Sequence, residues 1–503
     1  MTQIVAVPRY KNEFGVHTDL FAVGDNGNIY TSSYKTRSMK YSHVGMDWQS
    51  LGHPNGLPFP ERSNIAAVSR RYNNLDVFAI GGDGTCYRTT FTAASGWTSN
   101  GSGDNWTTFA GGGRLSPGTP IVAISRNPDH IDVMAIGDGE VKGAWTHGES
   151  SVGEWYSLGR PVGSPPLTER CKIDAVAVGE RDHLVVICGE REGDVWARRW
   201  NGNQQPWTRL TTRNLSNNGQ IPISVAPPAS PLSAVKSSYG ECDVFAVFNH
   251  GEVFVSWTSE GAWQPFDAQG GKLQPGSPVT AVLERGNVDG NTLRLFGITT
   301  DFTVVTTTTN PRTRTSPPPW TEIGAKGLFP AGTKLAVVTA NPGEHYVYGV
   351  TNEGTVLAAK VVNGKATSWT TIGGQGSVKL CNANSGIRPI TFAQLGSIPS
   401  VQAEVLIDSD RELKISGSGF APYKPYLVIL RYRGSVNIQH EYSGASFVID
   451  RGGRLECRLS ALKFTSSVTG NTPVPSKVGY ALEIKILCEG GQSANTFVLV
   501  PKE

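Results

Sequence analysis

The sequence has few charged residues and no long apolar segment. Charged side chains make up 17% of its 503 residues, and 45 basic groups nearly balance 42 acidic ones, so the formal net charge is only +3. Proteins that bind nucleic acids or anionic membranes carry a dense basic patch, and this composition supports neither function. No run of about 18 apolar residues is present, which excludes a membrane-spanning helix. We therefore expect neither nucleic-acid binding nor membrane insertion.

Targeting and metal-binding signals are also missing. The N-terminal segment lacks the basic start and apolar centre of a secretory signal peptide. We expect a cytoplasmic protein, or one that leaves the cell by a non-classical route and acts outside it.

The seven cysteines form no C-x-x-C pair, and none lies at zinc-ligand spacing from a histidine. Buried thiols are the preferred interpretation of all seven, with Cys457 and Cys488 as the nearest candidates for a disulfide.

Catalytic signatures are absent as well. The sequence contains no G-x-S-x-G, H-E-x-x-H or G-x-x-x-x-G-K-[ST] motif and no complete EF-hand loop. Carboxylates are frequent between residues 180 and 194 and would suit glycoside hydrolysis if two of them flanked a substrate. Their position in two turns favours solvated loop ends instead. We therefore expect a protein that is not an enzyme, with no catalytic residue, no metal and no cofactor.

What the sequence does contain is a repeat. An apolar strand with a small central residue, followed in most copies by a glycine turn, recurs seven times with a period of about 50 residues. The copies are DLFAVGDNG at 19–27, DVFAIGGDG at 76–84, DVMAIGDG at 132–139, LVVICGEREG at 184–193, DVFAVFNHG at 243–251, RLFGITTDF at 294–302 and YVYGVTNEG at 346–354. A short β-rich run precedes each copy, and a second strand and a tryptophan near a closing strand follow it. The closing tryptophans are Trp48, Trp106, Trp155, Trp207, Trp263, Trp320 and Trp369.

Each copy predicts one small antiparallel sheet of three or four strands joined by tight turns. Because the strands are apolar on both sides, such a sheet needs a neighbour on each face, and radial stacking provides both. The sequence therefore predicts an all-β fold in which a seven-bladed β-propeller spans residues 1–375. The small central residues are expected to permit close packing near a crowded axis. Two ways of closing the ring stay open: seven whole blades that pack together, or an extra strand from SVKLC at 377–381.

A second unit follows the repeats. Strands with alternating polarity predict a small β-sandwich (immunoglobulin-like) domain at residues 401–503. Within it, KISGSGFAP at 414–422 is similar to the opening of immunoglobulin-like repeats in secreted or surface proteins. Residues 376–400 are rich in Gly, Ser and Asn and are interpreted as a connecting segment.

Two of the repeats carry the features of a known family. HLVVICGEREGDVWARRWNGNQQPWTRL at 183–210 and CDVFAVFNHGEVFVSWTSEGAWQPF at 242–266 resemble the repeat of the seven-bladed β-propeller lectins related to the Photorhabdus luminescens fucose-binding lectin. That repeat runs approximately as D-V-F-x-x-G-x-D-G-x-L-W-x-x-x-W-x-G-x-W-x-x-W-x-x-L-G. The resemblance extends over all seven copies and leaves the C-terminal unit outside. It implies pockets between blades that bind L-fucose and related, often O-methylated, sugars.

The aromatic residues agree with such pockets. A sugar ring offers an apolar C–H face and a rim of hydroxyls, so its binding site needs an aromatic plate and a few fixed hydrogen-bonding groups. Blades six and seven lack aromatic residues on the strand after the hairpin, and sugar binding should therefore concentrate between blades three, four and five. For the closing tryptophans a structural role between blades is preferred over a sugar-facing one. The predicted ligand-binding residues are Trp145, Trp155, Trp196, Arg198, Trp200, Trp207, Phe254, Trp257 and Trp263.

Two classes of function remain open at this point. The first is a carbohydrate-binding lectin that recognises fucosylated or O-methylated glycans through aromatic pockets between blades, with glycans or glycoproteins as partners and a homo-oligomer as an open possibility. The second is a protein-interaction scaffold, or a toxin or host-targeting component, that uses the propeller face and the C-terminal sandwich without binding sugar. Exposed aromatic rings between blades favour the lectin, and filled grooves favour the scaffold.

Overall fold

The structure is a computed structural model, and the residues that it describes form an almost purely β protein with one 3₁₀ turn, Pro54–Gly56. The chain divides into two compact units, Met1–Arg388 and Pro389–Glu503. None of the described segments forms a helix long and apolar enough to cross a membrane. The structure describes the strands of the second unit and, in the first unit, residues 4–12, 15–35, 48–60, 63–71, 74–98, 106–111, 115–148, 151–180, 182–189, 194–212, 226, 230–238, 241–248, 251–257, 262–266, 273–284, 292–309, 317–330 and 332–372.

The first unit consists of seven consecutive groups of antiparallel strands, here called blades one to seven, and the outermost strands of blades four and five also pair with each other in parallel. Blade one contains β1 (Val5–Asn12), β2 (Gly15–Val23), β3 (Ile29–Lys35) and β4 (Gln49–Gly52). Blade two contains β5 (Ile65–Arg71), β6 (Asn74–Ile80), β7 (Cys86–Thr92), β8 (Gly96–Trp97) and β9 (Thr107–Thr108). Blade three contains β10 (Ile121–Asn127), β11 (His130–Gly137), β12 (Glu140–His147), β13 (Ser151–Val152) and β14 (Tyr156–Gly159). Blade four contains β15 (Lys172–Gly179), β16 (Asp182–Cys188), β17 (Val195–Trp200) and β18 (Thr208–Thr212).

The remaining three blades follow the same order of strands. Blade five contains β19 (Ser233–Ser238), β20 (Glu241–Val247), β21 (Val253–Trp257) and β22 (Ala262–Phe266). Blade six contains β23 (Thr280–Glu284), β24 (Thr292–Ile298), β25 (Val304–Thr309) and β26 (Thr321–Glu322). Blade seven contains β27 (Ala336–Asn341), β28 (Glu344–Val350), β29 (Val356–Val362), β30 (Lys365–Ala366) and β31 (Thr370–Ile372).

The first strands of the blades contact one another in a closed ring. Strand β1 contacts β5, the contacts continue through β10, β15, β19 and β23 to β27, and β27 contacts β1. The predicted seven-bladed β-propeller is thus confirmed. Its ring closes because blade seven packs against blade one, and each blade is formed by one continuous stretch of chain. The alternative closing strand at 377–381 lies outside the described residues.

Each interface between adjacent blades, here called a seam, contains its own apolar core, and there are seven of them. The closing tryptophan of the later blade packs into each core, which confirms the structural role preferred for these residues. In four seams its indole N–H also donates to a backbone carbonyl of the preceding blade at 2.8–3.1 Å, so a directional bond accompanies the apolar contact. The four donor and acceptor pairs are Trp106 to Leu51, Trp207 to Leu158, Trp263 to Leu210 and Trp369 to Ile323.

The small central residues of the repeat have a different role from the one expected. They lie on the second strand of each blade, whereas the first strands surround the axis. A Cβ atom added at Gly297 would lie 2.7 Å from Leu273, and one at Gly349 would lie 2.6 Å from Phe329. Leu273 and Phe329 belong to the connections that enter blades six and seven. At these two positions the residue is therefore small because an apolar side chain of the preceding connection packs on it.

Buried ion pairs join the first two strands of blades one to three, and blade six reverses the charges. There the acid, Glu284, lies on β23 and the arginine, Arg294, on β24. Burial would raise the pKa of Glu284, but hydrogen bonds from His345 of blade seven and from Arg294 lower it to about 2. The pairs of the other three blades are Arg9 with Asp19, Arg70 with Asp76 and Arg126 with Asp132.

Seven strands of the second unit are described. They are β32 (Ser400–Leu406), β33 (Glu412–Ser418), β34 (Pro425–Arg433), β35 (Gln439–Val448), β36 (Leu455–Ser460), β37 (Ala481–Cys488) and β38 (Ser493–Leu499). They form two antiparallel sheets, one in the order β32-β33-β36 and one in the order β35-β34-β37-β38. All-β character is confirmed, and the packing of these sheets as a sandwich stays a prediction.

We expect Gly349→Ala to destabilise the propeller because the added methyl group would contact the ring of Phe329 at 2.6 Å. Overpacking of this kind costs about 1–3 kcal/mol of the free energy of unfolding, which urea denaturation measures. Gly82→Ala is the matched control, because a Cβ at Gly82 meets no atom within 4 Å. Equal stability of the two variants would show that the small residue is not needed for this contact.

A second prediction concerns His183 on β16, which is 4% exposed. Burial lowers the pKa of His183 to about 4, below its value of about 6.5 in an unfolded chain. The unfolded state therefore binds a proton first as the pH falls, and stability present above pH 6.5 is lost below it. Between pH 7 and pH 5 the wild type should lose about 2 kcal/mol of unfolding free energy that His183→Leu does not lose. Parallel pH dependences of the two proteins in urea denaturation would contradict this expectation.

Candidate functional site

The seam between blades three and four contains a cleft built around strand β17. Trp196 on β17 lies opposite Ile187 on β16 and opposite Arg209 on β18. Strand residues that lie opposite each other point to the same face of a sheet. Asp194 immediately precedes β17, so that an acid, an indole and a guanidinium come together at one edge of the blade.

The cleft has a volume of about 260 Å³, close to the lower end of the range for small-molecule sites. One wall is the connection from blade three to blade four, Pro161–Thr168, which contributes three prolines and Val162. Leu167, Cys171 and Ile187 supply apolar surface, and they are buried. The polar side chains opposite this wall are those of Asp194 and Arg209. The cleft thus has an apolar side and a side that donates and accepts hydrogen bonds.

The polar pair is accessible to solvent. Nη2 of Arg209 donates to Oδ1 of Asp194, and the side chains are 52% and 22% exposed. The guanidinium carbon of Arg209 lies 6.0 Å from the centre of the Trp196 ring, at the outer limit of a cation–π contact. Because this ion pair is half exposed, its mutual attraction is weak and each partner can exchange part of it for a ligand hydroxyl. The arrangement can therefore bind a neutral ring that carries hydroxyls on one edge.

Among the described blades, only blade four has an acid, an aromatic residue and an arginine at these three positions. In blade three the equivalent residues are Glu140, Lys142 and Ser157, where Nζ of Lys142 and the hydroxyl of Ser157 both contact the Glu140 carboxylate at 2.7 Å. In blade two the tyrosine at the aromatic position is 4% exposed and donates to a turn carboxylate at 2.8 Å. The equivalents elsewhere are Asn28, Tyr30 and Ser50 in blade one, Thr85, Tyr87 and Thr108 in blade two, Glu252, Phe254 and Pro265 in blade five, Thr303, Val305 and Glu322 in blade six, and Thr355, Leu357 and Thr371 in blade seven.

Two predicted residues close the seam next to the cleft. Arg198 lies two residues beyond Trp196 on the same face of β17, and its Nη1 donates to the carbonyl of Leu158 in blade three. Its Nη2 donates to Oε1 of Gln204 at 2.6 Å. The indole of Trp207 donates to the same Leu158 carbonyl at 3.0 Å. Arg198 and Trp207 therefore join blades three and four, and they mark the end of the cleft.

Two further predicted residues lie in the same seam, beyond Arg198. Trp145 of blade three is 39% exposed and stacks on His130, with ring centres 5.5 Å apart. Trp200 of blade four stacks on His183 at 5.6 Å, and the guanidinium of Arg126 covers its ring at 4.6 Å. The rings at this end are thus partly covered by the protein's own side chains, and Trp145 has the largest exposed indole surface there.

The remaining predicted ligand-binding residues do not line open pockets as expected. Phe254 and Trp263 are 7% and 3% exposed in the seam between blades four and five, where both pack on Phe248. This seam is closed because the outermost strands β18 and β22 pair with each other in parallel. Trp155 lies in the seam between blades two and three, edge-on to Phe109 at 6.3 Å. The Trp257 side chain lies outside the described residues.

Asp194 and Arg209 were missed by the sequence analysis. Asp194 was assigned to a solvated turn, and Arg209 lies between a closing tryptophan and the next connection, where no motif marks it. The pairing of Trp196 with Arg209 depends on the register of β17 and β18, which the spacing in the sequence does not determine. Within the described part of the chain, no group of three or more His, Cys, Asp or Glu side chains is placed to hold a metal ion.

Comparison with known proteins identifies the fold. No protein-family model matches the sequence, and no curated protein matches it. Among solved structures, the BP39L lectin from Burkholderia pseudomallei matches with a TM-score of 0.56 and 22% identity, over 74% of this chain and 99% of that chain.

Two fungal proteins match less well. AofleA from Arthrobotrys oligospora is 14% identical, with a TM-score of 0.43, over 62% of this chain and 87% of its own. A mutant of the Aleuria aurantia lectin in complex with α-methyl-L-fucoside is 13% identical, with a TM-score of 0.41, over 66% of this chain and 99% of its own. The match to the Burkholderia protein shows that this chain has the fold of a known lectin, and the resemblance to propeller lectins is confirmed at the level of the fold.

Proposed function

We propose that the protein is a carbohydrate-binding lectin that recognises a fucosylated or O-methylated glycan in the cleft between blades three and four. The observation that carries this proposal is the meeting of Trp196, Asp194 and Arg209 at one edge of blade four. An indole face suits the C–H face of a sugar, a carboxylate accepts from its hydroxyls, and a guanidinium donates to them. The fold shared with a known lectin is consistent with this assignment.

The apolar side of the cleft supports the sugar class. L-Fucose carries a methyl group in place of the hydroxymethyl group of most hexoses, and an O-methylated sugar has lost a hydroxyl donor. Either sugar therefore has an apolar edge, which would leave water most favourably against Leu167, Ile187 and the prolines of the connection. Its remaining hydroxyls would then face Asp194 and Arg209.

The chemistry of the cleft supports binding and not turnover. Glycosidases as a rule use two carboxyl groups, about 5–5.5 Å apart in retaining enzymes and 6.5–9.5 Å apart in inverting ones. The described lining of the cleft contains one carboxylate, Asp194, and it is paired with Arg209. The described lining therefore lacks the second carboxyl group that such a hydrolysis needs.

The proposed domains are the propeller at 1–375, a connecting segment at 376–400 and a β-sandwich at 401–503. The two antiparallel sheets of the second unit are the support for the sandwich, because two small sheets of this kind bury their apolar faces by packing against each other. A protein-interaction scaffold is the outcome that the binding experiment would favour if no glycan bound.

We expect Trp196→Ala and Arg209→Ala each to weaken binding of methyl α-L-fucopyranoside by about tenfold or more, measured by isothermal titration calorimetry. The first variant removes the aromatic plate, and the second removes a charged hydrogen-bond donor, each worth about 1.4 kcal/mol or more. Thermal stability should change little in Arg209→Ala, because this side chain is 52% exposed.

Two variants serve as matched controls. Arg71 is also 52% exposed and paired with an aspartate, but it lies in blade two, so Arg71→Ala should bind like the wild type. Trp145→Ala removes an exposed indole at the other end of the same seam. A loss in Trp145→Ala without one in Trp196→Ala would place the site at that end. Failure of the wild type to bind any fucosylated or methylated glycan on an array would reject the lectin assignment.

A further inference from the structure

One position in the propeller is occupied by a small residue in six blades and by a large residue in blade four. It is the residue of the second strand that lies opposite the third-strand position of Trp196, and in blade four it is Ile187. Its equivalents are Ala22, Ala79, Ala135, Ala246, Gly297 and Gly349.

In blades two, three, six and seven the connection from the preceding blade packs at this small residue. The Leu273 and Phe329 contacts leave no room for even a Cβ at Gly297 or Gly349, because the added atom would lie under 3 Å from a side-chain carbon. Phe59 shares an apolar core with Ala79, and Leu115 shares one with Ala135. The small residue thus leaves the space in which an apolar side chain of the connection packs.

Blade four has the same connection, but Ile187 fills the space that a small residue leaves in the other blades. Leu167 corresponds to Phe59 and Leu115, because its backbone N–H donates to the glycine of the preceding hairpin, Gly139, at 2.8 Å, as theirs do to Gly27 and Gly84. Leu167 therefore meets a branched side chain of four carbons where a methyl group or a hydrogen stands in the other blades. The cleft lies at this point, and both Leu167 and Ile187 line it.

We infer that Ile187 is a positioning residue that holds the connection Pro161–Thr168 away from strand β17 and thereby keeps the cleft open. Fully buried atoms in a close-packed interior cannot share space, so the added carbons of Ile187 displace the connection outward. The face of Trp196 that would otherwise be covered by the connection then becomes available to a ligand. The consequence for ligand binding rests on the proposed function, whereas the position of the connection does not.

The inference is tested with Ile187→Ala, which restores the residue found in four other blades. A crystal structure of the variant should show Leu167 moved toward β16 and the cleft reduced in volume. Calorimetry with methyl α-L-fucopyranoside should show an affinity at least about tenfold lower than that of the wild type, which corresponds to about 1.4 kcal/mol. Ile187→Val keeps a branched side chain and should bind within about threefold of the wild type, because it loses a single methylene group.

Ile173→Ala is the matched control. Ile173 lies opposite Ile187 on β15 in the same apolar core and is 8% exposed, but it does not line the cleft. Its truncation should lower thermal stability at least as much as Ile187→Ala does and leave both the connection and the affinity unchanged. Equal losses of affinity in the two alanine variants would reduce the role of Ile187 to general stability and reject the inference.

The two proposals fail in different ways. If the wild type binds no fucoside, the lectin assignment fails, and the crystal structure of Ile187→Ala still decides whether Ile187 displaces the connection. If the wild type binds and the connection of Ile187→Ala keeps its position, the inference fails and the lectin assignment stands.

Discussion

Each blade of this propeller has two apolar faces, and the unit depends on covering both of them. Seven seams do so, each with a separate apolar core. In at least four of them an indole N–H bonded to a carbonyl of the preceding blade adds a directional contact to the apolar one. Burial alone does not fix how far one sheet slides along another, because the hydrophobic effect has no direction. The indole bond supplies that direction in these four seams, whereas the indole N–H of Trp155 has no partner among the described residues, so the apolar contact is what the seven closing tryptophans share.

A seam packed in this way also decides where a ligand site can form. Protein interiors have the density of organic crystals, so one enlarged side chain is accommodated by movement of a neighbour. In blade four the enlarged residue faces a surface connection, which can move outward, and the result is a cleft instead of strain in the sheet. In the next seam the outer strands β18 and β22 pair with each other, and the aromatic residues Phe254 and Trp263 stay covered. The difference between these two seams is one of packing, since both contain the aromatic residues that suggested a sugar site.

The sequence predicted the architecture well and the site only in part. The periodic strands and closing tryptophans specified seven blades, because a repeat that cannot bury its faces alone requires neighbours. The closure between blades seven and one was left open, since no local signal records which ends of the chain meet. Trp196 was predicted and lies in the cleft, whereas Asp194 and Arg209 were missed because they meet it through strand register. The small residues of the repeat were noticed but assigned to the axis. The role of Ile187, at the same position in blade four, depends on Leu167, twenty residues earlier in the chain, which only the fold brings into the same apolar core.

The cleft opens only part of the seam between blades three and four, and this explains how the ring stays closed. Next to the cleft, Trp207 and Arg198 both bond to the carbonyl of Leu158, so blades three and four stay joined at that point. The connection keeps its backbone bond from Leu167 to Gly139, which anchors it to the hairpin of blade three next to the cleft. Trp196 and Arg209 stand on paired strands of the blade, and their orientation is set before a ligand arrives. In the proposed lectin, such a preformed surface would need little ordering to bind a glycan, and more of the contact energy would appear as affinity.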